Sequence, residues 1–335
     1  MRPSRVLVLT AALSLGAAVS VLPVEVASAQ APSTTVLIPA NNATVSGTAQ
    51  VLDASASSGV TQVQYEITGG TLSDSVIASG TLTEYGWLAQ WNTTSVPNGT
   101  YNLQSVASGG GVSGTSAPVS VTVDNPAPST TVIIPSAGSS VSGTSSLLDA
   151  TASAKVTSVT YELSGGTLSV DVIATGTPTY YGWLAQWNTT SVPNGTYNLQ
   201  SVAAYAGGVS GTSSSLTINV NNPPPSTTVI LAGSDGTLNP GTGFVFDASA
   251  SPGVTQVLIE LVNEEGTDIY EGWTATPTIY GWIVVVPPCS SCITDYPVPI
   301  SGLFAIESVA SYSGGVSGKS PIVPVTIIDY TTPPP

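Results

Sequence analysis

One stretch occurs twice, letter for letter. YGWLAQWNTTSVPNGTYNLQSVA runs from Tyr85 to Ala107 and again from Tyr181 to Ala203. A worn third copy begins at Tyr280-Gly281-Trp282 and resumes over Gly302–Ala310. A chain that repeats itself at a fixed spacing builds one structural unit more than once. Trp87, Ala89 and Trp91 alternate, and so do Tyr101, Leu103, Ser105 and Ala107. A period of two is the pattern of strands with one buried face. Val96-Pro97-Asn98-Gly99 separates the two runs. Pro pre-sets one turn dihedral and Asn-Gly tolerates the positive φ of a tight turn, so the stretch reads as a β-hairpin.

A second repeated element opens each unit. It reads PSTTVLIP from Pro32, PSTTVIIP from Pro128 and PSTTVIL from Pro225. The spacing is about a hundred residues, the size of one β-sandwich domain. Asp124-Asn125-Pro126-Ala127-Pro128 and Asn221-Asn222-Pro223-Pro224-Pro225 join the units. Short Pro-rich joints are semi-rigid spacers. Within a unit, Val51-Leu52-Asp53 starts a second strand, Val63, Tyr65 and Ile67 alternate in a third, and Gly69-Gly70 turns the chain. Val76-Ile77-Ala78 begins a shorter strand, and Val119–Val123 is the last. About seven short strands with such turn signals predict an immunoglobulin-like sandwich. The expected fold is therefore all-β, three tandem immunoglobulin-like β-sandwiches over 30–125, 126–222 and 223–330, with a Pro-rich tail at 331–335.

Residues 1–29 read as a secretory signal. Arg2 and Arg5 precede the apolar run Val6–Val21, and Ala27-Ser28-Ala29 is a small-residue cleavage pattern. The mature chain is expected to start at Gln30, to be secreted, and to carry no membrane span.

Trp-Asn-Thr-Thr followed by Ser-Val-Pro-Asn-Gly-Thr-Tyr-Asn-Leu, at Trp91–Leu103 and Trp187–Leu199, closely resembles the bacterial Ig-like domains found in tandem in secreted and surface proteins. The openers and the strands carrying Asp53 and Asp149 fit the same pattern. The resemblance implies Ig-like sandwiches that serve as spacers, adhesion units or sugar-binding accessories; such modules share a fold more than a function. The third repeat departs from it. It lacks Trp-Asn-Thr-Thr, and it carries an insertion with Cys289 and Cys292.

Composition bears on activity. There are 19 acidic residues against 4 basic ones, no His, and a net charge of −15. Nucleic acid and anionic membrane surfaces repel such a chain. Without His, Ser-His-Asp and Cys-His catalysis is excluded. Paired carboxylates could hydrolyse a glycoside, but Asp53, Glu66, Asp74 and Glu84 fall on different expected strands and loops. No enzyme, cofactor or metal is expected. Cys289-Ser290-Ser291-Cys292 has the spacing of redox and half-zinc sites. Zinc wants four ligands and redox sites want a helix N-terminus, so a small disulfide loop is the expectation for an exported chain. Acidic and amide side chains at the joints, with Asn263-Glu264-Glu265 and Asp268, supply hard oxygens but no regular calcium-loop spacing.

The aromatics remain. Tyr and Trp faces stack on sugar rings, but they also fill cores. Trp87 and Trp91 share strand parity, and Val286 stands in the place of Trp91 in the third repeat, so the tryptophans of the stretch read as core. Tyr85, Tyr180, Tyr181, Trp273 and Tyr280 lie near strand ends or in loops and are the candidate ligand-binding residues. The sequence thus predicts a non-catalytic extracellular interaction or spacer protein whose partner is a protein or a glycan. The alternative is a carbohydrate-binding module that uses the Tyr-Gly-Trp edge.

Overall fold

The computed structural model describes residues 30–231, 236–238, 243–287 and 302–328. The signal segment expected over 1–29, Cys289 and Cys292 all lie outside the described residues. Module 1 holds ten strands: β1 (Thr34–Ile38), β2 (Ala43–Val45), β3 (Gln50–Ala56), β4 (Gln62–Gly69), β5 (Leu72–Ser79), β6 (Thr81–Leu82), β7 (Trp87–Trp91), β8 (Gly99–Gly109), β9 (Val112–Thr115) and β10 (Val119–Val123). They form two sheets, ordered β1-β3-β7-β6 and β2-β10-β8-β4-β5, with β9 added to β8. The same set recurs from Thr130 to Val220 in module 2 and from Thr227 to Ile327 in module 3. These are three tandem Ig-like β-sandwiches. The seven expected strands are present, joined by the short β2, β6 and β9.

The duplicated stretch is not a hairpin. β7 pairs with β3 and β6, whereas β8 pairs with β4, β9 and β10 in the opposite sheet. The alternation was legible and the pairing was not. Trp87 and Trp91 on one strand, and Tyr101 and Leu103 on the next, bury against the same core from its two sides. Residues 92–98 carry the chain across between layers. Thr93–Ser95 forms a 3-10 turn there, capped by Asn92, whose side chain accepts from Thr94 N at 3.3 Å. Asn98 is not among the residues with positive φ. Its amide instead grips the backbone of Asn125. The hairpins of module 1 are β4–β5, β6–β7 and β8–β9; in the first and last, Gly70 and Gly110 take φ of 59° and 61°. That left-handed region favours Gly because it has no Cβ.

Each core is filled by the inward parity of both sheets. Leu52, Val63, Tyr65, Ile67, Trp91, Leu103 and Val121 are buried in module 1. Burying each such large apolar side chain stabilises by about 1.5–3 kcal/mol. The Tyr65 hydroxyl donates to the Trp87 carbonyl, and Tyr161 does the same to Trp183. Burial, with the Asp53 carboxylate adding to it, pushes the Tyr65 phenol well above its ordinary value, so it stays a donor. Module 3 repacks this core. Phe246 pairs with Val284 where Leu52 pairs with Ala89, and Val286 faces Phe244 where Trp91 faces Gln50. Ile259 pairs with Trp273 where Tyr65 pairs with Ala78. Volume lost at one position returns at its neighbour, the kind of exchange a close-packed core tolerates.

Candidate functional site

The Tyr-Gly-Trp motif sits at a tight turn that joins β6 to β7. Thr83 N donates to Gly86 O at 2.8 Å, and Thr83 Oγ1 donates to the same carbonyl at 2.9 Å. Tyr85 N in turn donates to Thr83 Oγ1 at 3.2 Å. Thr179 makes the same bonds in module 2; in module 3 Thr278 makes both side-chain bonds and pairs with Gly281 in the β-ladder. Gly86 is required twice over. Its φ is +141°, and a Cβ would collide with Asp53 Oδ1. Gly182 with Asp149 and Gly281 with Asp247 repeat that arrangement.

Each turn is thus a rigid pedestal, and a ring stands on it. Tyr85 is 75 % exposed, Tyr181 80 %, Tyr280 81 % and Tyr180 97 %. Tyr180 and Tyr181 meet edge to face with centroids 5.4 Å apart. Ile279, 91 % exposed, takes the place of Tyr180 in module 3. An exposed Tyr offers an apolar face and a polar tip, and a fixed backbone lowers the entropy cost of stacking on it. The tryptophans of the motif lie below. Trp87 is buried, and Trp183 and Trp282 are half-buried against their cores.

Trp273 departs from its expected exposure. It is half-buried, its ring 5.7 Å from Phe246 and 6.1 Å from Phe244. Its position facing Ile259 explains this, since the indole occupies volume that a Tyr fills in the other modules. A cleft of about 600 Å³ opens beside it, lined by Trp273, Thr276, Thr278 and Ile283.

The structure also assembles a charge cluster that sequence spacing did not reveal. Lys319 Nζ lies 2.5 Å from Glu307 Oε1 and 3.6 Å from Glu260 Oε2. Glu307 is buried, while the Lys319 side chain is 52 % exposed. Burial pushes the Glu260 carboxyl up, Lys319 works against that, and Glu307 adds to it. The hydrogen bond to Glu307 is the main influence raising Lys319. The missed signal was register. Glu307 pairs with Glu260 where Gln104 pairs with Glu66, and Lys319 faces Val309 where Thr115 faces Val106. In module 3 an acid and its countercharge stand at the places of Gln104 and Thr115. Among the described residues, no group of three or more His, Cys, Asp and Glu side chains could hold a metal.

The amides at the joints are committed to the protein itself. Asn125 is 3 % exposed. Its Oδ1 accepts from Gly47 N at 2.9 Å and Thr93 Oγ1 at 2.6 Å, and its Nδ2 donates to Thr93 O at 3.0 Å. Asn222 makes the same bonds to Gly143 and Thr189. Asn263 closes its own turn onto Thr267 and Asp268.

Fold and turns together define a protein of tandem Ig-like modules. The first two match the bacterial Ig domain family, over residues 32–104 and 128–201. Module 3 lies outside both matches. No curated protein matches the chain significantly. Similar solved structures include a tetra-tandem repeat from the extending region of a large adhesion protein, at 16 % identity and TM-score 0.33, covering 89 % of this chain and 74 % of that one. Fibronectin(III)-like modules of Clostridium thermocellum CbhA share 21 % identity at TM-score 0.25, over 57 % of this chain and 95 % of theirs. Titin domains I67–I69 share 13 % identity at TM-score 0.23, over 90 % and 100 %.

Proposed function

We propose that the chain is an exported, non-catalytic Ig-like repeat protein that presents one rigid tyrosyl turn per module to an extracellular partner. The observation that carries this reading is the recurrence of the exposed ring on the same hydrogen-bonded pedestal in every module. Core packing does not require Tyr85, Tyr181 or Tyr280, yet the Thr and Gly that shape each pedestal hold them in place. Three modest contacts on one chain add through effective concentration. Export rests on the basic start, apolar run and Ala27-Ser28-Ala29 of the N-terminus. The test compares the mature chain with a Tyr85→Ala, Tyr181→Ala, Tyr280→Ala variant for binding to the surface of the producing cell. Loss of binding with unchanged melting is expected, and equal binding would reject the reading.

A carbohydrate partner is the second reading. The Tyr180–Tyr181 pair favours it, because two perpendicular rings at one tip offer a stacking face and an adjacent hydroxyl. Retention of the mature chain on insoluble cell-wall glycan, cellulose or chitin, lost in Tyr180→Ala with Tyr181→Ala, would support it. No retention on any of them would leave a protein partner as the reading.

A further inference from the structure

Both joints between modules are held at three points, and the points correspond. The first is the outgoing chain, where Asn125 and Asn222 are bonded into the modules they leave. The second is the incoming chain. The Pro128 carbonyl lies directly over Gly211, and that of Pro225 over Gly318, leaving no room for a Cβ at either Gly. The third point is a loop of the following module that reaches back. Gly207 N donates to Thr94 O at 2.9 Å, and Gly314 N donates to Thr190 O at 2.9 Å. Ser313 Oγ adds a 3.4 Å bond to Thr190 O. A Cβ on Gly207 would overlap the carbonyl group of Val96, and one on Gly314 that of Val192. Backbone therefore meets backbone, on the 3-10 turns at Thr93–Ser95 and Thr189–Ser191.

The sequence of that loop follows its surroundings. Modules 2 and 3 carry Tyr205-Ala206-Gly207-Gly208 and Tyr312-Ser313-Gly314-Gly315. Tyr205 N bonds Val209 O at 3.0 Å and Gly208 N bonds Tyr205 O at 2.9 Å, and Tyr312 and Gly315 repeat this closure. Module 1 closes the corresponding β8–β9 hairpin with the shorter Gly109-Gly110-Gly111. There a Cβ on Gly110 or Gly111 would meet nothing within 4 Å. The longer loop is not needed to turn the strand, since module 1 turns it without one.

We propose that the Tyr-x-Gly-Gly loop is a dedicated connector. Its partner is another module of the same type, and its seat is the Asn-Thr-Thr-Ser-Val turn of that module. Seating holds neighbouring modules in one orientation. A Pro-rich joint by itself restrains the chain only partly, and intra-chain domain interfaces by default allow relative motion. The added backbone bond and the close Gly approach remove that freedom, which fixes how the tyrosyl turns of successive modules are placed.

The test uses the whole mature chain. 15N relaxation reads whether modules tumble together, and small-angle X-ray scattering reads the spread of overall dimensions. Two variants are compared with it: Gly207→Val with Gly314→Val, and a loop exchange that replaces both connectors with the Gly-Gly-Gly loop of module 1. The exchange guards against misfolding, because that loop already closes the same hairpin. The wild type is expected to tumble as one elongated body with a narrow distribution of dimensions. The loop-exchange chain should lose the common tumbling time and broaden in scattering while its urea midpoint stays in place. A loop-exchange chain that tumbles and scatters like the wild type, or a wild type whose modules already tumble independently, would overturn the proposal.

Discussion

Replacing Asn125 with Ala tests whether the outgoing joint is part of the fold of module 1. The side chain makes three bonds in a buried site: from Gly47 N at 2.9 Å, from Thr93 Oγ1 at 2.6 Å, and to Thr93 O at 3.0 Å. Thr93 Oγ1 keeps a second partner, the Gly47 carbonyl at 2.8 Å. Gly47 N does not, so Asn125→Ala orphans one partly buried donor and weakens two other groups. A buried polar group left unpaired costs about 1–3 kcal/mol, and each net bond about 1 kcal/mol. The expected loss is about 3–5 kcal/mol, a large part of the 5–15 kcal/mol typical of a domain. In a domain of this size each kcal/mol moves Tm by roughly 4–8 °C, so the transition of module 1 should fall by more than about 10 °C. Asn125→Asp keeps both acceptor bonds but buries a carboxylate and turns one of its oxygens onto the Thr93 carbonyl, so at neutral pH it should destabilise at least as much as Ala. Calorimetry gives the transition, and amide exchange at Gly47 gives the local opening. Asn222→Ala should reproduce the effect in module 2. A loss below about 1 kcal/mol, with Gly47 still protected from exchange, would refute the reasoning.

Other outcomes follow from the same geometry. Glu260 has a carboxyl raised above its ordinary value in the fold, chiefly by burial. Its contribution to stability is therefore full below the unfolded-state value and is lost as pH rises through the raised one. Module 3 should weaken on going from acid to neutral pH for this reason, and Glu260→Gln should flatten that part of a urea-midpoint profile; an unchanged slope would contradict the assignment. Gly182→Ala should destabilise module 2 by more than about 1 kcal/mol, because φ is +153° and the Cβ meets Asp149. Calorimetry checks it, and a neutral result would mean the pedestal relaxes freely. Trp273→Ala should cost about 3–5 kcal/mol as a core truncation, whereas Tyr280→Ala should stay within about 0.5 kcal/mol. Equal effects in a thermal melt would place the two rings wrongly.

Strand periodicity exposed most of the fold. Val63, Tyr65, Ile67, Tyr101, Leu103 and Ala107 alternate in sequence and all lie buried. Partner choice stayed hidden, because period two tells which side chains face inward but not which strand lies beside them. Val-Pro-Asn-Gly looked like a hairpin turn because Asn-Gly fits one locally. The residue that overrides it is Asn125, distant in sequence, which takes both ends of the Asn98 amide. The exposure of Tyr85, Tyr180, Tyr181 and Tyr280 was legible from their position at strand ends. Trp273 was not, since its burial depends on the residue across the ladder. The Glu307–Lys319 pair is also a register effect: the two residues stand on neighbouring strands that only the folded sheet aligns.

The duplicated stretch now has a physical reason to resist change in two modules and to drift in the third. One segment of module 1 carries the pedestal at Tyr85 and Gly86, the core rings Trp87 and Trp91, the connector seat at Thr94 and Val96, and the joint grip at Thr93 and Asn98. Almost every inward or turn position serves a contact, so few substitutions are free. In module 3 the motif that forms the seat, Trp-Asn-Thr-Thr, is gone from the sequence, and no module docks on it among the described residues. Module 3 nonetheless keeps Tyr312–Gly315, which module 2 receives. Module 1 shows the converse, a seat that is filled and a loop that touches no other module among the described residues. The loop and its seat meet at both joints described, Gly207 on Thr94 and Gly314 on Thr190, so a substitution in either half is felt in two modules at once, and that coupling restricts the stretch beyond what its own core demands.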